Sequence, residues 1–348
     1  MTEIHIVGGG VAGLALAGLV PRDYSVHLYD GGRDARTVPT VFGLWPAAMR
    51  VLDDLGLTTA ARAAGRRLDE ARFHDRRGRV LARFGGQDVW LVARTELVRM
   101  LWSNLPANVT VHRRIIERTD DLGGDLVVGA DGVHSVVRAS RWRGAGPPRR
   151  LGATAIRGVV DEPIAGDRLS EYWGAGTLVG MTPHPDGGTN WFCTVPRERF
   201  SGRAEALTAI RTRLDGHPAP VRRLLAAADP DRTLVNDLWA ARWPRRLVRA
   251  DAVLIGDAAH AMSPSLGRGA GESLIDAQVL GTALRTASLE DALRRYERNR
   301  LLRSHLVRVA SSVVLQVATA RRERLRNAVV ALAAWPATAR GGISRAAG

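Results

Sequence analysis

The chain has 348 residues, a formal net charge of +15 and one cysteine, Cys193, which excludes an intramolecular disulfide or a cysteine-cluster metal site and suits a reducing, cytoplasmic setting. All 50 basic residues are arginine, so Schiff-base chemistry on a side-chain amine is excluded, and their spread without aromatic interleaving reads as genome bias, not as a nucleic-acid surface. The length suggests two lobes, and the apolar run Val7–Val20, studded with glycines and stopped by Pro21, reads as neither a signal peptide nor a membrane span.

Glu3–Val7 reads as a strand running into Gly8, Gly9 and Gly10, followed by a helix to about Leu19, a turn at Pro21–Asp23 and a second strand at Ser25–Asp30. Asp30 follows Gly10 by 20 residues, so strand, glycine turn, helix, strand and acid stand in the order of a dinucleotide-binding unit. In such a unit Gly8 permits the tight turn, Gly10 lets the backbone approach a pyrophosphate, and Gly13 lets helix and strand close together. The helix N-terminus around Val11 and Ala12 faces the phosphates, and Asp30 accepts from a ribose.

Gly43–Leu57 has helical period, and Val92–Leu101 is an amphipathic helix with Arg94 at its start. Asp125–Arg138 begins as a strand that ends in Gly129, Ala130, Asp131 and Gly132. From about Leu151 to Val195 the period falls to two, and the turn signal His184–Gly188 points to an antiparallel sheet. Ala204–Leu225 returns to helical period, Leu234–Trp243 is extended, and the apolar strand "DAVLIGD" follows. After Gly271 the helical pattern runs to about Ala334. There Leu302, Leu306, Val309, Val313 and Val317 form a stripe opposite arginines, expected to pack on the protein itself. The tail Ala339–Gly348 is expected to fray.

Three motifs coincide in order: "GGGVAG" from Gly8, "GADGVHSVVR" from Gly129 and "GDAAHAMSPSLGRG" from Gly256. With a β-rich insertion between the second and third, the chain resembles the single-component FAD-dependent aromatic hydroxylases, the para-hydroxybenzoate hydroxylase-like monooxygenases, over nearly its whole length. The resemblance implies an α/β fold: a Rossmann-type FAD-binding domain with an inserted antiparallel β-sheet substrate domain and C-terminal helices. The FAD-binding domain is expected over 1–70, 91–150 and 246–290, the substrate domain over 71–90 and 151–245, and a helical segment over 291–348.

By the same resemblance Gly8, Gly10 and Gly13 cradle the pyrophosphate, Asp30 holds the adenosine ribose and Arg94 reaches back to the cofactor. Asp131 lies near FAD and the NAD(P)H approach, Asp257 bonds the ribityl chain or pyrophosphate edge, and Pro264 lies against the flavin. The amides from Leu266 through Gly267 and Gly269 to Ala270 face the pyrimidine end of the ring. His260 is expected to be structural and not a general base. Two residues depart from the family's "GQGxN" stretch, with Arg268 in place of Gln and Gly271 in place of Asn.

The implied activity is FAD-dependent, NAD(P)H- and O2-consuming hydroxylation or epoxidation of a hydrophobic or aromatic small molecule through a flavin hydroperoxide. Gly43, Trp45, Met181, Pro183 and Trp191 are expected to line the substrate space. The rivals are an FAD-dependent reductase or oxidase of an apolar substrate and a non-catalytic dinucleotide-binding protein. No metal, nucleic acid or membrane span is expected. Substrate identity, NADPH against NADH, and oligomeric state are left open by the sequence.

Overall fold

The computed structural model describes residues 2–32, 38–120, 122–328 and 330. Strand β1 (Glu3–Val7), helix α1 (Val11–Leu19) and strand β2 (Ser25–Tyr29) form the expected opening unit. The segment from Gly43 is not all helix: β3 (Val41–Leu44) ends before α2 (Pro46–Asp54). Pro46 sets that boundary, because a proline lacks the N–H that the first helical position leaves unpaired anyway.

Next come α3 (Thr58–Ala63), β4 (Gly65–Asp75), β5 (Val80–Ala93), α4 (Arg94–Ser103), β6 (Val109–His112), β7 (Leu126–Gly129) and α5 (Val136–Arg141). The β-rich stretch comprises β8 (Arg149–Val160), β9 (Arg168–Trp173), β10 (Leu178–Pro183) and β11 (Thr189–Pro196). The following helical segment is two helices, α6 (Arg203–Arg213) and α7 (Ala219–Ala227), parted at Pro218. The chain then returns through β12 (Thr233–Ala240), β13 (Val248–Arg249), β14 (Ala252–Leu254), α8 (Asp257–His260), α9 (Gly269–Thr286) and α10 (Leu289–Ala318).

Two sheets organise these elements. The first, in the order β13-β14-β7-β1-β2-β6, is parallel except for its edge strand β13. One face of its central strands is apolar, with Ile4, Ile6, Leu28 and Val128 fully buried, and the other carries His5, whose ring stacks with His27 and Tyr29. The second, in the order β12-β8-β11-β10-β9-β4-β5-β3, is antiparallel except where β4 meets β9. One of its faces packs against α6 and α7, burying Ile156, Met181, Trp191 and Cys193 with Leu207, Ile210 and Leu224. Together they make the Rossmann-type α/β architecture with an antiparallel sheet and C-terminal helices that the sequence implied.

The C-terminal helices differ from expectation in two ways. The helical run is interrupted at Ala287 and Ser288, where the Ser288 hydroxyl accepts from Asp291 N and caps α10, and α10 ends at Ala318. The helical pattern expected to continue toward Ala334 breaks over 319–322 and resumes over 323–328, and the expected tail lies outside the described residues.

Most of the apolar stripe of α10 does not pack on the protein: Leu302 is 62% exposed, Leu306 57% and Val313 50%, while Val317 packs with Trp173 and Leu178. The packed face is instead the one bearing Tyr296, Arg300, Ser304 and Ser311. It is held by hydrogen bonds: Tyr296 Oη donates to Leu254 O (2.8 Å) and Ser311 Oγ to Ser263 O (2.7 Å). By length and composition alone, α10 is the one helix among the described residues long and apolar enough to cross a membrane.

Candidate active site

The first glycine-rich stretch turns between β1 and α1. Gly8 has φ +111°, open to glycine, and a Cβ there would stand 2.4 Å from Ala130 O, so this residue also brings the mid-chain motif against the turn. A Cβ on Gly13 would stand 2.0 Å from Gly8 O, which is why helix and strand close together only without a side chain. Gly9, to which the sequence assigned no task, is the residue that admits the acid: a Cβ there would meet Asp30 Oδ2 at 2.2 Å. Asp30 also accepts from Gly32 N through Oδ1 (2.9 Å).

Gly10 is different, since an added Cβ would meet nothing within 4 Å. The first intrahelical bond of α1 runs from Leu14 N to Gly10 O (3.0 Å), and no side chain caps the helix. The amides of Val11, Ala12 and Gly13 therefore end the helix unpaired, with the positive end of its dipole behind them. Open space before such amides, with an acid alongside, fits a dinucleotide pyrophosphate and ribose.

The other two motifs converge here. A Cβ on Gly256 would lie 2.8 Å from Ala12 Cβ, and one on Gly281 would lie 2.8 Å from Leu19 Cβ, so α9 and its preceding loop abut α1. Arg138, the last residue of "GADGVHSVVR", donates through Nη1 to Ala258 O (2.6 Å) and ties the second motif to the third. Asp131 Oδ2 accepts from Val136 N (2.6 Å) and Val137 N (3.2 Å) at the start of α5, while its buried Oδ1 has no partner among the described residues. Burial raises its pKa above the ordinary carboxylate value, against the opposing hydrogen bonds from Ser135 and the α5 amides.

Asp257 is exposed at the start of α8. Pro264–Leu266 makes a single 3-10 turn closed by Gly267, and Glu272 N to Arg268 O (2.9 Å) is the first bond of α9, leaving the amides of Gly269 and Ala270 at a second helix N-terminus. Ser263 Oγ donates to Ser311 O (2.9 Å), so α10 fastens this loop. Gly43 lies against it, its Cβ position 4.0 Å from Gly267 O. Arg268 stacks over Trp45 at 5.6 Å, and Arg94 over Phe42 at 5.2 Å. Of the residues expected to line a substrate space, Gly43 and Trp45 are thus brought to the third motif. Met181 and Trp191 are not: they lie under α6 and α7, on the opposite face of their sheet, and Pro183 shares their parity.

Behind the loop is a buried charge network that the sequence reading missed, although two of its members, Glu272 and Asp276, lie at helical spacing within "GESLIDA". Asp276 Oδ2 accepts from Gly256 N (2.7 Å) and contacts His260 Nε2 at 2.6 Å; Arg300 donates to Asp276 Oδ1 (2.6 Å) and to Glu272 Oε2 (2.6 Å). His260 is accordingly a buried partner of Asp276. Burial pushes the Asp276 pKa up, but the facing His260 and Arg300 outweigh it and hold the carboxyl at about 2. Burial pushes His260 down, and Asp276 outweighs it, leaving the imidazole above its ordinary 6.5.

The sign for stability follows from linkage. The Asp276 contribution is present above 3.8 and lost as pH falls through about 2. The His260 contribution is complete below 6.5 and is lost as pH rises through the raised value. We therefore expect the melting temperature to decline on the alkaline side of 6.5. The decline should flatten in His260→Gln; a wild-type profile indifferent to this substitution would contradict the assignment. Among the described residues no group of three or more His, Cys, Asp or Glu is placed to hold a metal ion.

Comparison with known proteins bears on the same residues. A family model described as FAD binding domain matches residues 1–114 and 103–310. The 3-amino-4-hydroxybenzoate 2-monooxygenase of Streptomyces cremeus is 34% identical over 348 aligned positions, covering 87% of this chain and 84% of that protein. The aurachin C monooxygenase/isomerase of Stigmatella aurantiaca is 30% identical, covering 87% and 86%. Klebsiella pneumoniae HpxO, solved with FAD and uric acid, superposes with a TM-score of 0.84 at 24% identity over 94% of this chain and 92% of that one.

Proposed function

The chain belongs to the FAD binding domain family of FAD-dependent monooxygenases, and from that premise we propose that it uses NAD(P)H and O2 to hydroxylate or epoxidise a hydrophobic or aromatic small molecule. The observation that carries this reading is the uncapped N-terminus of α1 at a glycine turn beside Asp30, with Gly256 of the third motif packed against Ala12 of that helix. Substrates named for relatives, an aminohydroxybenzoate and uric acid, support an aromatic substrate.

In this assignment Gly8, Gly10, Val11, Ala12 and Gly13 hold the pyrophosphate, Asp30 the adenosine ribose and Asp257 the ribityl side. Arg94 and Asp131 border the cofactor. When bound, FAD supplies the redox chemistry, taking a hydride from NAD(P)H and activating O2. The protein's share is positional. Pro264, held by the Ser263–Ser311 pair, presents an apolar wall. The amides of Gly267, Gly269 and Ala270 offer fixed positive potential where a reduced ring gains negative charge. Gly43 and Trp45 close the space from the β3–α2 side and keep water out.

We assign residues 1–70, 91–150 and 246–290 to the cofactor and 71–90 with 151–245 to the substrate. The partners in this reading are small molecules alone, without nucleic acid or a membrane span, in the cytoplasm; the unclustered arginines and single cysteine support it. The test is an absorption spectrum and mass analysis of the released chromophore, then oxygen uptake with NAD(P)H and a panel of aromatic compounds. A bound FAD and a product one oxygen atom heavier are expected. A colourless protein that takes up no FAD, or NAD(P)H oxidation with no oxygenated product from any compound, would overturn it.

A further inference from the structure

The two sides of α10 differ in what they touch. At 3.6 residues per turn, Leu302 and Ser311, nine residues apart, point in opposite directions. The side of Ser311, with Tyr296, Arg300 and Ser304, is buried against the body of the protein. The opposite side bears Leu302, Leu306, Val309 and Val313 in one row, and all four are exposed. A contiguous row of large apolar side chains turned to solvent marks an interaction surface.

The charges around the row point to its partner. From 298 to 322 the chain carries six arginines and no Asp or Glu, although the whole chain has 35 acids to its 50 arginines. Arginine richness alone leaves acids in place elsewhere; here they are missing. Arg298, one turn before Leu302, and Arg303, beside it, are exposed, as are Arg321 and Arg322 beyond the far end. Among the described residues none of these four pairs with a carboxylate, and Arg303 reaches only Asn299 Oδ1, at 3.5 Å.

This pattern does not suit a second copy of the chain. Two-fold pairing along the row would set the end bearing Arg295 and Arg298 against the end bearing Arg321 and Arg322, like charge on like charge. The nearest acids are already engaged: Glu290 and Asp291 with Arg294, and Glu297 with Arg246 and the amides of Leu247 and Val248. Four side chains also fall short of the roughly 20–30 residues and about 800 Å² per partner of a stable interface.

Nor can the helix span a bilayer while it stays docked. Withdrawing it would break Tyr296 Oη from Leu254 O and separate Arg300 from Glu272 and Asp276, carrying a buried cation into hydrocarbon.

We propose that α10 docks the protein on an anionic lipid surface. The helix lies flat, Leu302, Leu306, Val309 and Val313 enter the acyl boundary, and Arg298, Arg303, Arg321 and Arg322 reach the headgroup phosphates. Docking of this kind is peripheral, and it adds a lipid surface to the small-molecule partners proposed above. On the back of the same helix Ser311 holds Ser263, so the loop of the third motif would lie about one helix diameter, roughly 10 Å, from the lipid. An apolar compound dissolved in the membrane would thus be delivered close to that loop.

The test is co-sedimentation of the full chain, incubated with FAD, with vesicles of pure phosphatidylcholine and of two parts phosphatidylcholine to one part phosphatidylglycerol. The mixed vesicles are expected to bind at least about 10-fold more tightly, and less so at high salt, because each arginine near an anionic surface strengthens binding roughly five-fold. Replacing Arg298→Gln and Arg303→Gln together should cost roughly 25-fold. Leu306→Gln with Val313→Gln should cost roughly 10-fold or more, with melting temperature and FAD content unchanged. Val80→Gln with Phe84→Gln, an exposed apolar pair on β5, should leave binding as it was.

The lipid and salt comparisons use the wild type alone and stand if a variant misfolds. The inference is overturned if neither vesicle binds, if both bind alike, or if the β5 pair matters as much as the α10 pair. A dimer in sedimentation velocity that Leu306→Gln dissolves, without vesicle binding, would assign the row to a second copy and overturn it as well. FAD content, read from the absorbance of the same samples, tests the monooxygenase reading separately.

Discussion

Gly10→Val is expected to yield a folded protein that no longer holds FAD. The backbone at Gly10 has φ −84° and ψ −173°, extended geometry that any residue adopts, and an added Cβ meets nothing within 4 Å, so folding has no reason to suffer. The new side chain would instead occupy the space before the amides of Val11, Ala12 and Gly13. Losing two hydrogen bonds to a charged pyrophosphate costs about 3–6 kcal/mol, or roughly 100- to 10,000-fold in affinity. Gly13→Ala is the contrasting variant: its Cβ would sit 2.0 Å from Gly8 O, a backbone atom that cannot swing away, so the fold itself should lose about 1–3 kcal/mol or more. Apo-protein melting and FAD titration separate the two effects. A Gly10→Val protein that is isolated with a full complement of FAD would refute the cradle assignment.

The opening unit was legible because its spacing carries its geometry. A strand, a glycine turn and an acid 20 residues on fix where Asp30 ends relative to the loop, and Gly9 sits against it as that spacing requires. The convergence of the three motifs was legible in the same way, from their order. The wall of the substrate space was not. A period of two says that a strand has two faces and leaves open which is turned to the site, so Met181 and Trp191, large and apolar, were assigned to the wall although they fill the core under α6 and α7. The stripe on α10 misled for a related reason. Periodicity locates an apolar face, whereas this helix is docked by the hydroxyls of Tyr296 and Ser311 and by Arg300, whose partners lie far away in sequence. The stop before α10 was readable, since Ser288 followed by Asp291 is a capping pattern, but it was masked by helical period on both sides.

Arg300→Met should be the most damaging single change to stability. Arg300 is 3% exposed and is the common partner of Glu272 and Asp276, with which it makes two 2.6 Å contacts. Removing it leaves two buried carboxylates facing an apolar chain, and breaking a buried ion pair from one side costs about 3–5 kcal/mol. That corresponds to a fall in melting temperature of roughly 5–15 °C. The damage should also reach the cofactor. Asp276 holds the amide of Gly256, and Glu272 takes Arg268 Nη2 at 3.2 Å, so one guanidinium fixes both the loop that meets α1 and the first turn of α9. FAD affinity is therefore expected to drop with stability, even though Arg300 itself lies behind the loop. Arg268→Gln provides the comparison, because its pair with Glu272 is one-third exposed and is worth about 1 kcal/mol or less. Combining Arg300→Met with Glu272→Gln and Asp276→Asn should recover part of the loss, since amides are cheaper to bury than unpaired carboxylates. Thermal and urea unfolding of the four proteins would decide the matter: if Arg300→Met unfolds with the wild type, or the triple variant is no better than the single one, the network is not what holds the two glycine turns together.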